Sequence, residues 1–324
     1  MPSADSADWE LLAERISARY RGRDSLIRGV GVVGDYARNQ VWDASLLQIM
    51  LFRHRDEALF DDGPIIEENG FSVAVDSITS GYLVELEELL REEPLAGHLA
   101  DMRTLRMADP TLRQVLASFR DRYYSAEGRQ SRASHALQRA RVSLDDCEAS
   151  GRAFHGVDAV CRGILPAASA MVGEPVDALG MPRRLRAAGR LLKLTDLWPR
   201  ISDALRLTAM DAASSWSAVD SLYALCRSHL DARMPEVGAA LVPRLERALA
   251  PARIASDSLI EVDDAADAAW TSIAAASEID AIIESVSPGW RERDDYAQRA
   301  AAVYGEPNVR ELRLLGTELQ RKVG

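Results

Sequence analysis

The chain has 324 residues, 47% of them hydrophobic and 27% charged, a balance that fits a globular protein with room for two cores and excludes a disordered or fibrous chain. A net charge of −11 argues against a general nucleic-acid binder and against a binder of anionic membranes, so neither is expected as a partner. Three cysteines, Cys147, Cys161 and Cys226, are odd in number and far apart, which excludes a disulfide framework and structural zinc.

The opening MPSADSADWELL is acidic, with no basic start and no apolar core, and no run approaches the roughly 20 apolar residues of a membrane span. A cytoplasmic protein is therefore expected. Lys193 and Lys322 are the only lysines, so arginine carries nearly all the positive charge, a bias typical of GC-rich bacterial genomes.

Trp9, Leu12, Ile16 and Tyr20 recur at helical spacing, after Asp5 or Ser6 as a cap, and predict a helix over 9–20. Two short apolar runs, Leu26–Val33 and Ala44–Phe52, predict strands. Between them Gly31, Gly34 and Asp35 predict a turn, and 36–40 leaves room for little more than one helical turn. Amides at such a helix start can face an anion. Arg38, just beyond, is the best placed residue for an anionic group, because its planar fork bonds oxyanions in pairs.

After Phe52 a charged loop runs to Gly70, and the lone His54 in it reads as solvated. Phe71–Ile78 predicts a third strand, on which Asp76 points to the face opposite Val75. Leu83–Arg91 reads as an amphipathic helix with an acidic, solvated face. Leu95–Tyr124 reads as a helix, an Asp109-Pro110 turn and a second helix over 111–124. Arg103 and Arg106 precede that turn, either reaching an anionic substrate or lying exposed on the helix.

From Ser131 onward the pattern is helical. Helices are predicted over 131–165, 184–207, 215–234 and 242–254, broken at Pro166, Gly173-Glu174-Pro175, Gly180-Met181-Pro182, Pro199, Pro235 and Pro251. Residues 131 to about 235 read as a bundle, with 240–324 as an added helical extension. No internal repeat is visible, so a solenoid is disfavoured.

The order helix, strand, glycine turn, strand and helical C-terminal half resembles the nucleotidyltransferase superfamily that includes kanamycin nucleotidyltransferase and polymerase beta. That family carries Gly-Ser after the first strand and an Asp-x-Asp pair opening the second. Here Gly31-Val32 falls at Gly-Ser and Asp43-Ala44-Ser45 at Asp-x-Asp, so Val32 replaces a phosphate-binding hydroxyl and Ser45 a carboxylate. The resemblance implies an α+β fold: a small mixed β-sheet domain over 1–125, followed by a predominantly α-helical bundle over 126–324. It also implies as remaining metal ligands Asp43, the survivor of an Asp-x-Asp pair whose i and i+2 carboxylates share a strand face, and Asp76 as the third carboxylate from a later strand, since hard carboxylate oxygens hold magnesium. Asp43 alternatively only ends the turn before the strand.

In the helical half the resemblance suggests Asp145, among Asp145, Asp146 and Glu148, as a carboxylate base for an acceptor hydroxyl. Arg183 and Arg184, after the Gly-x-Pro loop, stand where related sequences tend to place a basic pair facing substrate. Candidate catalytic residues are thus Asp43, Asp76 and Asp145. Candidate substrate contacts are Gly31, Gly34, Asp35, Arg38, Ser45, Arg103, Arg183 and Arg184.

The functional expectation is a repurposed enzyme of bacterial specialised metabolism. It would act on a small polar or anionic metabolite by group transfer or displacement of an oxyanion leaving group, without a full two-metal site and with no cofactor. The alternatives are an active nucleotidyltransferase using Mg2+ and a nucleotide to adenylylate a small molecule such as an antibiotic, and a non-catalytic subunit binding a protein partner through its helical C-terminal region.

Overall fold

A computed structural model describes residues 6–42, 44–57, 59–61, 63–84, 86–176, 179–261 and 264–323. The chain divides into two compact units, Met1–Ser125 and Ala126–Gly324. It is an α+β protein: a small mixed sheet with flanking helices, then a helical region.

The first unit opens with α1 (Ser6–Arg23), whose Trp9, Leu12, Ala13 and Ile16 form one buried stripe. β1 (Ile27–Val33) runs into the single-turn α2 (Gly34–Arg38), and β2 (Leu47–Arg53) follows. β3 (Phe60–Asp61) and β4 (Ile65–Glu68) lie within the region expected as loop, and both pair antiparallel with β5 (Phe71–Thr79). A short 3-10 turn leads to α3 (Leu86–Leu89), α4 (Leu95–Ala100), β6 (Arg103–Met107) and α5 (Pro110–Tyr124).

The main path of the sheet is β3-β5-β2-β1-β6, with β2 and β5 parallel and β1 antiparallel to both β2 and β6. Strand alternation gives the sheet two apolar faces. Val30, Val32, Leu47, Ile49, Leu51 and Val73 pack with α1, while Met50, Phe52 and Ile78 pack with α4 and α5.

Two expectations are corrected here. Residues 103–107 form an edge strand and not a helix, because β1 supplies a pairing partner for Arg103–Met107 that local pattern does not show. Gly31 lies inside β1 and not in a turn, paired with Met50 on one side and Thr104 on the other. A Cβ on Gly31 would meet the Met102 side chain at 2.3 Å, so the glycine admits a packed neighbour.

The second unit holds α6 (Ala126–Ser150), α7 (Ala153–Ala159), a π-helical turn (Val160–Ile164), α8 (Leu165–Val172), α9 (Met181–Leu191), α10 (Leu197–Ala204) and α11 (Ala212–Arg233). It continues with α12 (Pro235–Glu261), α13 (Ala265–Val286), α14 (Asp294–Tyr304) and α15 (Val309–Val323). α13 is buried on every side, with Trp270, Ile273, Ile279 and Ile283 in the same core as Leu144, Val160 and Leu222. Residues 240–323 are therefore part of the bundle's own core and not an addition to it.

The break expected at Pro235 is present between α11 and α12, whereas Pro166, Pro199 and Pro251 do not break helices. Pro235 starts α12, Pro243 and Pro251 lie within it, Pro199 lies in the first turn of α10, and Pro166 lies in the first turn of α8, one residue past the π-turn. A first-turn proline forfeits no internal bond, and a π-turn absorbs a missing donor. Among the described residues no helix is long and apolar enough to cross a membrane.

Candidate functional site

Where β1 ends, Gly34 turns the chain with φ +73, a conformation that favours glycine. A Cβ there would also meet Gln48 Oε1 at 2.3 Å, so the Gln48 amide lies over the turn. Asn39 closes the turn in the left-handed region, its N–H donating back to α2 carbonyls. α2 is a single turn with the Asp35 carboxylate in its first residues, so the expected anion-facing amides are already beside a negative charge.

Arg38 points into the molecule. Its side chain is 8% exposed and lies between two carboxylates: Nη2 donates to Asp35 Oδ1 at 3.0 Å, and Nη1 stands 3.7 Å from Asp101 Oδ2. Among the described residues Arg38 Nε and Nη1 are buried without a hydrogen-bond acceptor. Asp35 Oδ2 accepts from Ser45 Oγ at 2.7 Å and from Trp42 Nε1 at 3.2 Å, and the Trp42 amide donates to Ser45 Oγ at 3.0 Å. Asp101 caps α4 and accepts from the Tyr124 hydroxyl, at the end of α5. Tyr36 is buried behind the turn against Trp9 and Phe71, and burial followed by the nearby Asp35 charge raises its phenol above the ordinary value.

The structure therefore brings together Gly34, Asp35, Arg38 and Ser45 from the sequence reading, and adds Trp42, Gln48, Asp101 and Tyr124. Gln48 was open to discovery as the one polar side chain in the apolar run 46–52. Asp101 has no such signal, because it reaches Arg38 only through the packing of α4 on the sheet.

Other candidates stand elsewhere. Asp43 lies outside the described residues. Asp76 sits in β5 opposite Met50, is 1% exposed, and accepts from the Gly63 amide at 3.1 Å. Gly31 is interior strand. Arg103 lies on edge strand β6, ion-paired to Glu10 at 2.9 Å and stacked over Trp9, which explains its arginine without a ligand.

In the second unit Asp145 is exposed and paired with Arg313 at 2.8 Å, with Glu148 on the same guanidinium at 2.9 Å. On α9, Arg184 turns to Glu174 and the Pro175 carbonyl, both at 3.4 Å, while Arg183 is exposed.

A serine–histidine contact also appears, with His229 Nε2 3.0 Å from Ser287 Oγ. Arg293 Nη1 approaches His229 Nδ1 at 3.2 Å, and arginine only donates, so Nδ1 accepts and Nε2 carries the proton. The ring then donates to the serine, the reverse of what nucleophile activation needs.

Magnesium enters only with the adenylylating alternative, whose ligand Asp43 lies outside the described residues. Among the described residues no group of three or more His, Cys, Asp or Glu is placed to hold a metal ion. The side chains at the start of β2 facing this turn supply an amide, Gln48, and not a carboxylate.

No family model matches the chain, and no curated protein does. Among solved structures, a nucleotidyltransferase-like protein from Exiguobacterium sibiricum 255-15 is similar at 11% identity, over 78% of this chain and 80% of that one, with a TM-score of 0.36. A likeness that distant transfers no activity.

Proposed function

We propose that the first unit is a nucleotidyltransferase-type fold whose turn site binds a small polar or anionic metabolite without metal–triphosphate chemistry. The observation that carries this reading is Arg38, a buried guanidinium whose Nε and Nη1 lack acceptors among the described residues. A buried donor left unmatched costs about 1–3 kcal/mol, and a ligand oxygen removes that cost.

The position of the turn supports the loss of metal binding. The resemblance places Gly-Ser directly after the first strand, and β1 ends at Val33, so Gly34-Asp35 occupies that place. The spacing counted from Gly31 to Asp43, counted instead from Gly34, lands on Leu46-Leu47-Gln48 at the opening of β2. On this register both carboxylates of Asp-x-Asp are absent. Asp35 replaces the hydroxyl, bringing negative charge where a phosphate would lie.

Isothermal titration separates this reading from an active nucleotidyltransferase. Nucleotides with magnesium are expected not to bind, whereas a panel of sulfated, carboxylated and phosphorylated metabolites is expected to yield ligands that Arg38→Ala loses with its fold intact. Micromolar, magnesium-dependent nucleotide binding would restore the adenylylating alternative. Full binding by the Arg38→Ala chain would place the function elsewhere and favour a partner subunit.

A further inference from the structure

Arg38 is not an open cation. Asp35 and Asp101 flank its guanidinium at 3.0 and 3.7 Å, with the three side chains 15%, 16% and 8% exposed respectively for Asp35, Asp101 and Arg38. Two negative charges thus surround one positive charge in a half-dry setting, where charge–charge terms are several-fold stronger than in water. The two carboxylates are fixed differently. Asp35 spends both oxygens locally, one on Arg38 and the other on Trp42 and Ser45. Asp101 is held through Oδ1 by the Tyr124 hydroxyl, and its Oδ2 faces Arg38 beyond hydrogen-bond distance.

That gap has a consequence for what the site accepts. An acceptor oxygen arriving at Arg38 Nη1 must come close to Asp101 Oδ2. A neutral carbonyl, a hydroxyl or a single carboxylate tolerates that neighbour, because one favourable guanidinium contact offsets one repulsive one. A polyphosphate brings several charges to the same place and meets two carboxylates with only one cation.

We infer that Asp101 is a charge filter over Arg38, selecting ligands that present a neutral or singly charged acceptor oxygen and rejecting polyphosphates, with Tyr124 as the residue that positions it. The inference rests on Arg38 being the ligand anchor, and the test reads the two separately.

Acetate, inorganic phosphate and pyrophosphate are titrated calorimetrically, without metal, into the full chain and its Asp101→Asn, Asp101→Glu and Arg38→Ala variants, with circular dichroism confirming the fold. The filter requires that Asp101→Asn gain pyrophosphate affinity by about tenfold or more, with a smaller change for acetate, and that Asp101→Glu keep the rejection. No pyrophosphate gain in a folded Asp101→Asn chain overturns it, as does a wild-type chain that prefers pyrophosphate to acetate. Asp101→Ser is a second neutral variant, read in the same way if the asparagine variant does not fold. Loss of acetate binding in Arg38→Ala supports the anchor. Retention of acetate there defeats the anchor reading itself, whereas an intact anchor with no gain in Asp101→Asn defeats the filter alone.

Discussion

Gln48 and Gly34 meet across the end of β1: the Gln48 Oε1 atom occupies the space that a Cβ on residue 34 would enter, at 2.3 Å. The glycine is needed twice, for its φ of +73 and for this approach. The two demands differ in strength. Gln48 is a flexible side chain that can swing aside, but the left-handed backbone cannot be relieved by a neighbour.

Gly34→Ala is therefore expected to cost about 1–2 kcal/mol, mostly from the backbone conformation. Urea unfolding of Gly34→Ala, Gln48→Ala and the double variant checks this. The double variant is expected to recover only a few tenths of a kcal/mol of coupling. Full recovery would mean that the contact, and not φ, dominates.

Much of this region was legible in the sequence. The Asp109-Pro110 signal is a helix start in the structure, with Asp109 Oδ1 accepting from the Thr111 and Leu112 amides and Pro110 in the first turn. The stripe of α1 and the strands β1, β2 and β5 follow from apolar periodicity. β6 was not legible, since four of its five residues are at least partly exposed and only pairing with β1 makes it a strand. The site slipped for a related reason. Gly31 and Gly34 both suit a turn, and only the length of β1 decides which of them ends the strand. Asp101 carries no local signal, because its role depends on where α4 and α5 bring it.

In the second unit Asp280 is wholly buried, its Oδ2 accepting from the Tyr296 and Tyr304 hydroxyls while Oδ1 has no hydrogen-bond partner among the described residues. Burial raises its pKa from 3.8 to about 6, against the opposing charge of Arg291 and the two tyrosine bonds. Asp158, itself bonded to Arg291 at 2.6 Å, adds to the rise, and Cys226 is the further titratable group beside it. The folded state then holds a proton that the unfolded chain releases between pH 3.8 and about 6. Stability from this group is full below the lower value and falls as pH rises through that window, by about 3 kcal/mol. Asp280→Asn is expected to remove that fall. Denaturant midpoints of both chains between pH 4 and 7 test it, and parallel pH profiles would contradict it.

The π-turn at Val160–Ile164 depends on a close approach to α6. A Cβ on Gly163 would stand 2.4 Å from Ala140 Cβ and 2.7 Å from Ala140 Cα, where no flexible side-chain end can yield. Gly163→Ala is expected to lose about 2–3 kcal/mol by overpacking, and Gly163→Val more. Ala140→Gly in the Gly163→Ala background relieves only the Cβ contact, so partial rescue is the expected thermal-unfolding result. An unperturbed melting temperature in Gly163→Ala would show that α6 and the π-turn are not packed this closely.

The shifted register makes a gain-of-function prediction. Residues 46 and 48 both flank Leu47, the first residue of β2, and strand alternation puts i and i+2 on one face. Both are half-exposed, so carboxylates there would be reachable by solvent ions, unlike Asp76 at 1% exposure. Magnesium commonly takes one or two carboxylates with the remaining ligands from water and phosphate. Leu46→Asp with Gln48→Asp is thus expected to create magnesium-dependent nucleotide binding that is not expected of the natural chain, measured by calorimetry with and without chelator. The flanking Asp35 and Asp101 oppose the triphosphate, so adding Asp101→Asn should strengthen the gain. A companion variant, Ser45→Asp, restores Asp-x-Asp in the register read from Gly31 and Asp43. Binding gained by Ser45→Asp and not by the 46/48 pair would return the motif to Asp43 and overturn the placement of the turn at Gly34.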